Sequence, residues 1–142
     1  MTAKEYLGQA YSIDRRVNIE LEKIAAMKSA LDYKPPSLQG SGGSGSGGLP
    51  EQIARVIDYE QRANRLIGEL VSRKFEISQT IDKVADLRLR EILVRRYLSF
   101  QKWEKIAVDM TIDIRWVSTQ IFAYLSSKNY LTIIIAPPER RT

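Results

Sequence analysis

Apolar side chains recur every three or four residues along two long segments, and each segment carries one such stripe. The first segment, 2–32, places Tyr6, Ala10, Ile13, Val17, Leu21, Ile24, Met27 and Leu31 on a single helical face. Thr2 followed by Glu5 has the spacing of a capping box at its start. Pro35 and Pro36 stop it, because proline has no amide proton to donate and its ring clashes with the preceding turn. The second segment opens at Leu49-Pro50-Glu51, with proline suited to a first helical turn. Its stripe runs Ile53, Val56/Ile57, Ala63, Ile67, Leu70, Ile77, Ile81 and Val84, interrupted by Glu60 and Lys74. A long helix with one apolar stripe is marginal alone in water and needs a partner. The simplest solution is an antiparallel helical hairpin, a coiled-coil arm over 1–85. Between the helices, over 37–49, lies "GSGGSGSGG", which buries nothing and behaves as a flexible tether. Engineered linkers and natural low-complexity loops share this composition.

From Asp86 the rhythm shortens. "DLRLREILVRRYLS", "QKWEKIAVDM" and "DIRWVSTQIFAYLSSKN" read as three short amphipathic helices in a small head, 86–128, followed by an atypical tail, 129–142. The fold expected is therefore all-α: a helical hairpin, then a helix-turn-helix head. Within the head, Trp103 and Trp116 stand 13 residues apart and are the only tryptophans. Ala107 supplies the small residue a helix-turn-helix needs where its second helix crosses the first. Ile106, Met110 and Val117 are expected in the core, with Trp103 plugging its outer end and Asp113 capping the second helix. Two positions depart from the motif. Thr111 stands where the turn favours glycine, which tolerates positive φ. Gln120 stands at a core position that Ile121 can take over by a small rotation of the helix.

Composition narrows the chemistry. The chain has no cysteine and no histidine, which removes thiol nucleophiles, disulfides, zinc fingers and imidazole bases. No glycine-rich phosphate loop follows a strand, and Glu104 and Asp109 read as surface charges on an amphipathic helix. An enzyme is not expected, nor a metal or cofactor. The N-terminus lacks an apolar signal core, and the longest apolar run, "YLTIIIA" (130–136), is too short to span a bilayer, so a cytoplasmic setting without membrane contact is expected. Net charge is +5, and its excess sits in the head: residues 86–128 hold eight bases against five acids, whereas residues 1–85 are nearly balanced. That distribution suits a polyanionic partner. Arg115, Trp116, Ser118 and Thr119 are the candidates to face a DNA groove, and Lys102, Lys105, Arg95 and Arg96 to grip phosphates.

Three segments also carry a resemblance. "MTAKEYLGQAY.ID.R.N", "IDYEQRANRLIGELVSRKFEI" and "LRLREILVRRYLSFQKWEKIAVDM" resemble a family of small regulators of phages and prophages of Gram-positive bacteria. It is a domain of unknown function related to the ArpU- and RinA-type late-gene regulators, with a head similar to region 4 of bacterial sigma factors. The resemblance covers residues 1–117 apart from the linker, where the family varies. It implies a helical arm followed by a DNA-binding head. After Val117 the family usually continues with an "HG.AL"-type helix, whereas this chain reads "STQIFAYLSSKNYLTIIIAPPERRT". Two functions follow as expectations. One is a homodimeric transcriptional regulator that binds double-stranded DNA. The other is a coiled-coil adaptor whose head contacts RNA polymerase or another protein, with DNA binding weak or lost.

Overall fold

A computed structural model describes residues 1–32 and 48–127. The Gly/Ser linker, apart from Gly48 and Leu49, and the tail 129–142 lie outside the described residues. Every regular element described is a helix: α1 (Ala3–Leu7), α2 (Gln9–Asp32), α3 (Leu49–Ile81), α4 (Leu87–Tyr97), α5 (Trp103–Met110) and α6 (Ile114–Ser127). The protein is all-α, as its periodicity predicts. No helix among the described residues is long and apolar enough to cross a membrane.

The described residues form two compact units, one of residues 14–69 and one joining 1–13 to 70–127. The division falls inside the two long helices, not at the 85/86 boundary that the change of rhythm suggests. In the first unit α2 and α3 pair through Ile24, Val56 and Ala63, with Met27, Leu31 and Tyr59 packed around them. Pairing is antiparallel: residues 24–31 of α2 meet 56–63 of α3, while Arg16 and Glu20 meet Arg65 and Glu69. Lys28 forms an ion pair with Glu60 across the two helices, and the Lys23 ammonium lies 5.3 Å from the Tyr59 ring centre. Both groups of the ion pair are exposed, so it orients more than it stabilises. Not every residue of the expected stripes is covered. Leu21, Ile53 and Ile57 are exposed, because a partner helix covers a strip narrower than the full run of apolar positions.

In the second unit the first expected helix is broken. Thr2 accepts from the Glu5 amide while the Glu5 carboxylate accepts from the Thr2 amide, completing the capping box. These bonds hold the Glu5 carboxyl below its usual range. The helix then stops at Gly8 and restarts at Gln9. Glycine has the largest backbone entropy to lose in a helix, and the Ser12 amide reaches the Gly8 carbonyl only at 3.5 Å. Tyr6, buried, meets the Thr80 hydroxyl at 3.2 Å. Thr80 also donates to the Glu76 carbonyl, so this buried polar side chain of the core is satisfied. After α3 a turn at Asp82–Val84 leads to Asp86, whose carboxylate caps α4 at the Arg88 and Leu89 amides. Arg90 reaches back to the Val84 carbonyl at 2.7 and 3.0 Å and fixes that corner.

The core of this unit draws on Leu7, Ala10, Ile77 and Ile81 as well as on the head. Ile92 and Leu93 of α4, Ile106 and Ala107 of α5 and Val117 and Ile121 of α6 are buried. Shortening Ile106, which is wholly buried, to alanine should cost about 2–5 kcal/mol of stability. Val108→Ala, two residues on and 77% exposed, should stay within about 0.5 kcal/mol of the parent. Urea unfolding of both variants checks the assigned face of α5.

Candidate nucleic-acid interface

α5 and α6 form a helix-turn-helix. α5 ends at Met110, and Thr111 follows in the left-handed conformation, with φ 54° and ψ 49°. The turn therefore adopts the backbone that favours glycine, with a β-branched residue in its place. Its geometry is held by the Thr111 amide donating to the Val108 carbonyl and the Ile112 amide donating to the Ala107 carbonyl at 3.0 Å. Asp113 then caps α6, accepting from the Arg115 amide at 2.7 Å and the Trp116 amide at 3.3 Å. α6 packs on α5 and also touches α1 and α4. It buries Val117, Ile121 and Leu125, and Gln120 is turned out. Ile121 thus fills the core role that Gln120 does not, as the departure from the motif implied.

Burial of that face decides where the candidate side chains point. Arg115 and Thr119 lie on the side of α6 opposite the buried one, and both are exposed. Among the described residues the Arg115 guanidinium has no ion-pair partner. Ser118 is exposed too, but its hydroxyl donates back to the Ile114 and Arg115 carbonyls, and it sits on the flank that faces α1. Trp116 is half-buried, with the Arg88 guanidinium 4.7 Å from its ring centre. It stands at the edge of the outer face, not at its centre.

The four candidate phosphate-binding cations differ more than their spacing suggests. Lys102 is exposed just before α5, and its ammonium has no ion-pair partner among the described residues. Lys105 pairs with Asp109 at 3.0 Å. Arg95 is held between Glu91 at 3.0 Å and Asp109 at 3.5 Å. Arg96 donates to the Gln101 carbonyl at 3.0 Å and lies over the Trp103 ring at 4.7 Å. Arg96 and Trp103 therefore brace the loop between α4 and α5. Trp103 is half-buried under this cation, a lid more than a plug. Among the described residues, Arg115, Thr119 and Lys102 remain uncommitted polar groups of the helix-turn-helix. Arg95, Arg96 and Lys105 are neutralised or occupied inside the head. Arg88 is one of the head's eight bases but not a candidate by spacing, and only the packing of α4 beside α6 brings it onto Trp116.

A cleft of about 750 Å³ runs beside α6, lined by Thr2, Tyr97, Trp103, Ser118, Phe122 and Leu125. Phe122 is 71% exposed there. Burial raises the Tyr97 phenol above its ordinary value, against a smaller pull downward from Arg96. Burial likewise raises Tyr124. Tyr97 therefore contributes stability below the ordinary tyrosine range, and that contribution is lost as pH rises through the raised value. No protein-family model, curated protein or solved structure matches the chain.

The left-handed threonine gives a direct test of the turn. Thr111→Gly removes the steric cost of positive φ but adds backbone freedom to the unfolded chain, and should leave a net gain of about 0.5–1 kcal/mol. Thr111→Pro, which can neither reach positive φ nor donate to Val108, should destabilise by about 3 kcal/mol or more. Thermal unfolding of both variants reads the two signs.

Proposed function

We propose that the protein is a DNA-binding transcriptional regulator of the phage and prophage type, acting through the helix-turn-helix of α5 and α6. The observation that carries this reading is the outer face of α6. Arg115 and Thr119 lie in the first turns of this second helix, capped by Asp113 and, among the described residues, free of intramolecular partners on that side. First-turn side chains of such a helix are the ones that reach base edges in a major groove. Lys102 lies at the start of α5, where it reaches a phosphate and not a base. The positive excess of residues 86–128 adds non-specific attraction. Homodimerisation through the arm is part of the reading, since paired recognition helices match symmetric half-sites.

One observation favours an adaptor. Four of the head's basic side chains, Arg90, Arg95, Arg96 and Lys105, are already paired or bonded within the chain, and Phe122 stands exposed beside the cleft. A head built this way suits a protein surface such as RNA polymerase.

The two readings separate on the duplex upstream of the protein's own operon, measured against random DNA at several salt concentrations. For a regulator, Arg115→Ala costs about 1–3 kcal/mol on the preferred site and flattens discrimination between sites. Lys102→Ala weakens binding to all DNA alike and lowers the salt slope by about one unit. Lys105→Ala changes the slope less, because Asp109 already neutralises it. Unchanged binding and salt slope for Arg115→Ala would favour the adaptor.

A further inference from the structure

α3 carries a second apolar stripe that α2 does not cover. The covered stripe includes Val56 and Ala63. The second includes Ile53, Ile57, Val71 and Phe75, which are 44%, 46%, 48% and 67% exposed. α3 is one uninterrupted helix, so positions 53, 57, 60, 64, 68, 71 and 75 share a face by helical geometry alone. The steps between them are four, three, four, four, three and four residues. They read the same from either end, with Asn64 in the middle. Ile57 and Val71 each stand seven residues from Asn64, and Ile53 and Phe75 each stand 11. Gly68 lies in the same stripe, and a Cβ built there meets nothing within 4 Å. Glycine weakens a helix interior, and no described residue of its own chain makes use of the space.

We propose that this face is the seam of an antiparallel homodimer, with α3 of each copy crossing the other about a two-fold axis at Asn64. The proposal deepens the dimer in the reading above and rests on it. A two-fold interface uses one patch twice, so the patch must complement itself when reversed. A palindromic spacing does this. Ile53 meets the partner subunit's Phe75, Ile57 meets the partner subunit's Val71, and the two Asn64 amides face each other at the axis. The seam is apolar at its ends and polar at its centre, and the Asn64 pair fixes register, since any slip leaves its amides unmatched. Gly68 falls opposite the partner subunit's Glu60, and the absent side chain leaves room for a carboxylate whose counter-ion is Lys28.

The chain has no cysteine, so single introduced cysteines report cleanly in the full protein without DNA. Asn64→Cys should cross-link to itself on oxidation. Ile57→Cys alone should not, because its two copies would lie about 21 Å apart along the seam, far beyond disulfide reach. Ile57→Cys mixed with Val71→Cys should cross-link. Ile57→Asp, at an exposed position, should keep its helical circular dichroism and raise the dimer dissociation constant about a hundredfold. Self-cross-linking of Ile57→Cys would overturn the antiparallel register. A parent that sediments as a monomer at tens of micromolar would overturn the seam. DNA binding by such a monomer would leave the reading of the head standing, and a correct cross-link pattern without DNA binding would do the reverse.

Discussion

The burial of one face of α6 is the constraint on which any reading of the head depends. Val117, Ile121 and Leu125 are drawn into the core, and a helix of this length has no freedom to rotate once they are. That single choice turns Arg115 and Thr119 out, puts Ser118 and Phe122 on the flank and leaves Trp116 at the edge. The turn before α6 serves the same end. A left-handed Thr111 and an Asp113 cap set the angle at which α6 leaves α5, and both act within three residues.

Charge in the head is divided by the same packing. A count of bases makes the whole region look like a polyanion site. Side-chain partners show two classes. Arg90, Arg95 and Arg96 close corners and loops, with acceptors at 2.7 to 3.5 Å. Arg115 and Lys102 have no such partners among the described residues. Removing a cation of the first class disturbs the fold before it disturbs any ligand, so loss of function there says little about an interface.

Much of the fold was legible in the sequence because it rests on local rules. The stripe from Tyr6 to Leu31 gave the phase of the first helices, Thr2 and Asp113 announced their caps, and the missing glycine at Thr111 marked the left-handed turn. The substitution of Ile121 for Gln120 followed from helical spacing. What was not legible depends on which neighbour arrives. The exposure of Leu21, Ile53 and Ile57 and the seat of Arg88 on Trp116 are set by packing between distant residues. For the candidate site, the side of α6 was readable from periodicity. The commitment of Arg95, Arg96 and Lys105 to internal partners was not, since no spacing rule distinguishes a paired cation from a free one.

The proposal that the outer face of α6 meets DNA is tested most directly by amide chemical-shift mapping. The labelled protein would be titrated with a short duplex from upstream of its operon at low salt. If α6 meets DNA, the largest changes fall on residues 114–120 and on Lys102, fade as salt is added, and spare the buried amides of Ile92 and Leu93. Saturating DNA that leaves 114–120 unmoved, or that perturbs only the arm between residues 14 and 69, would contradict it.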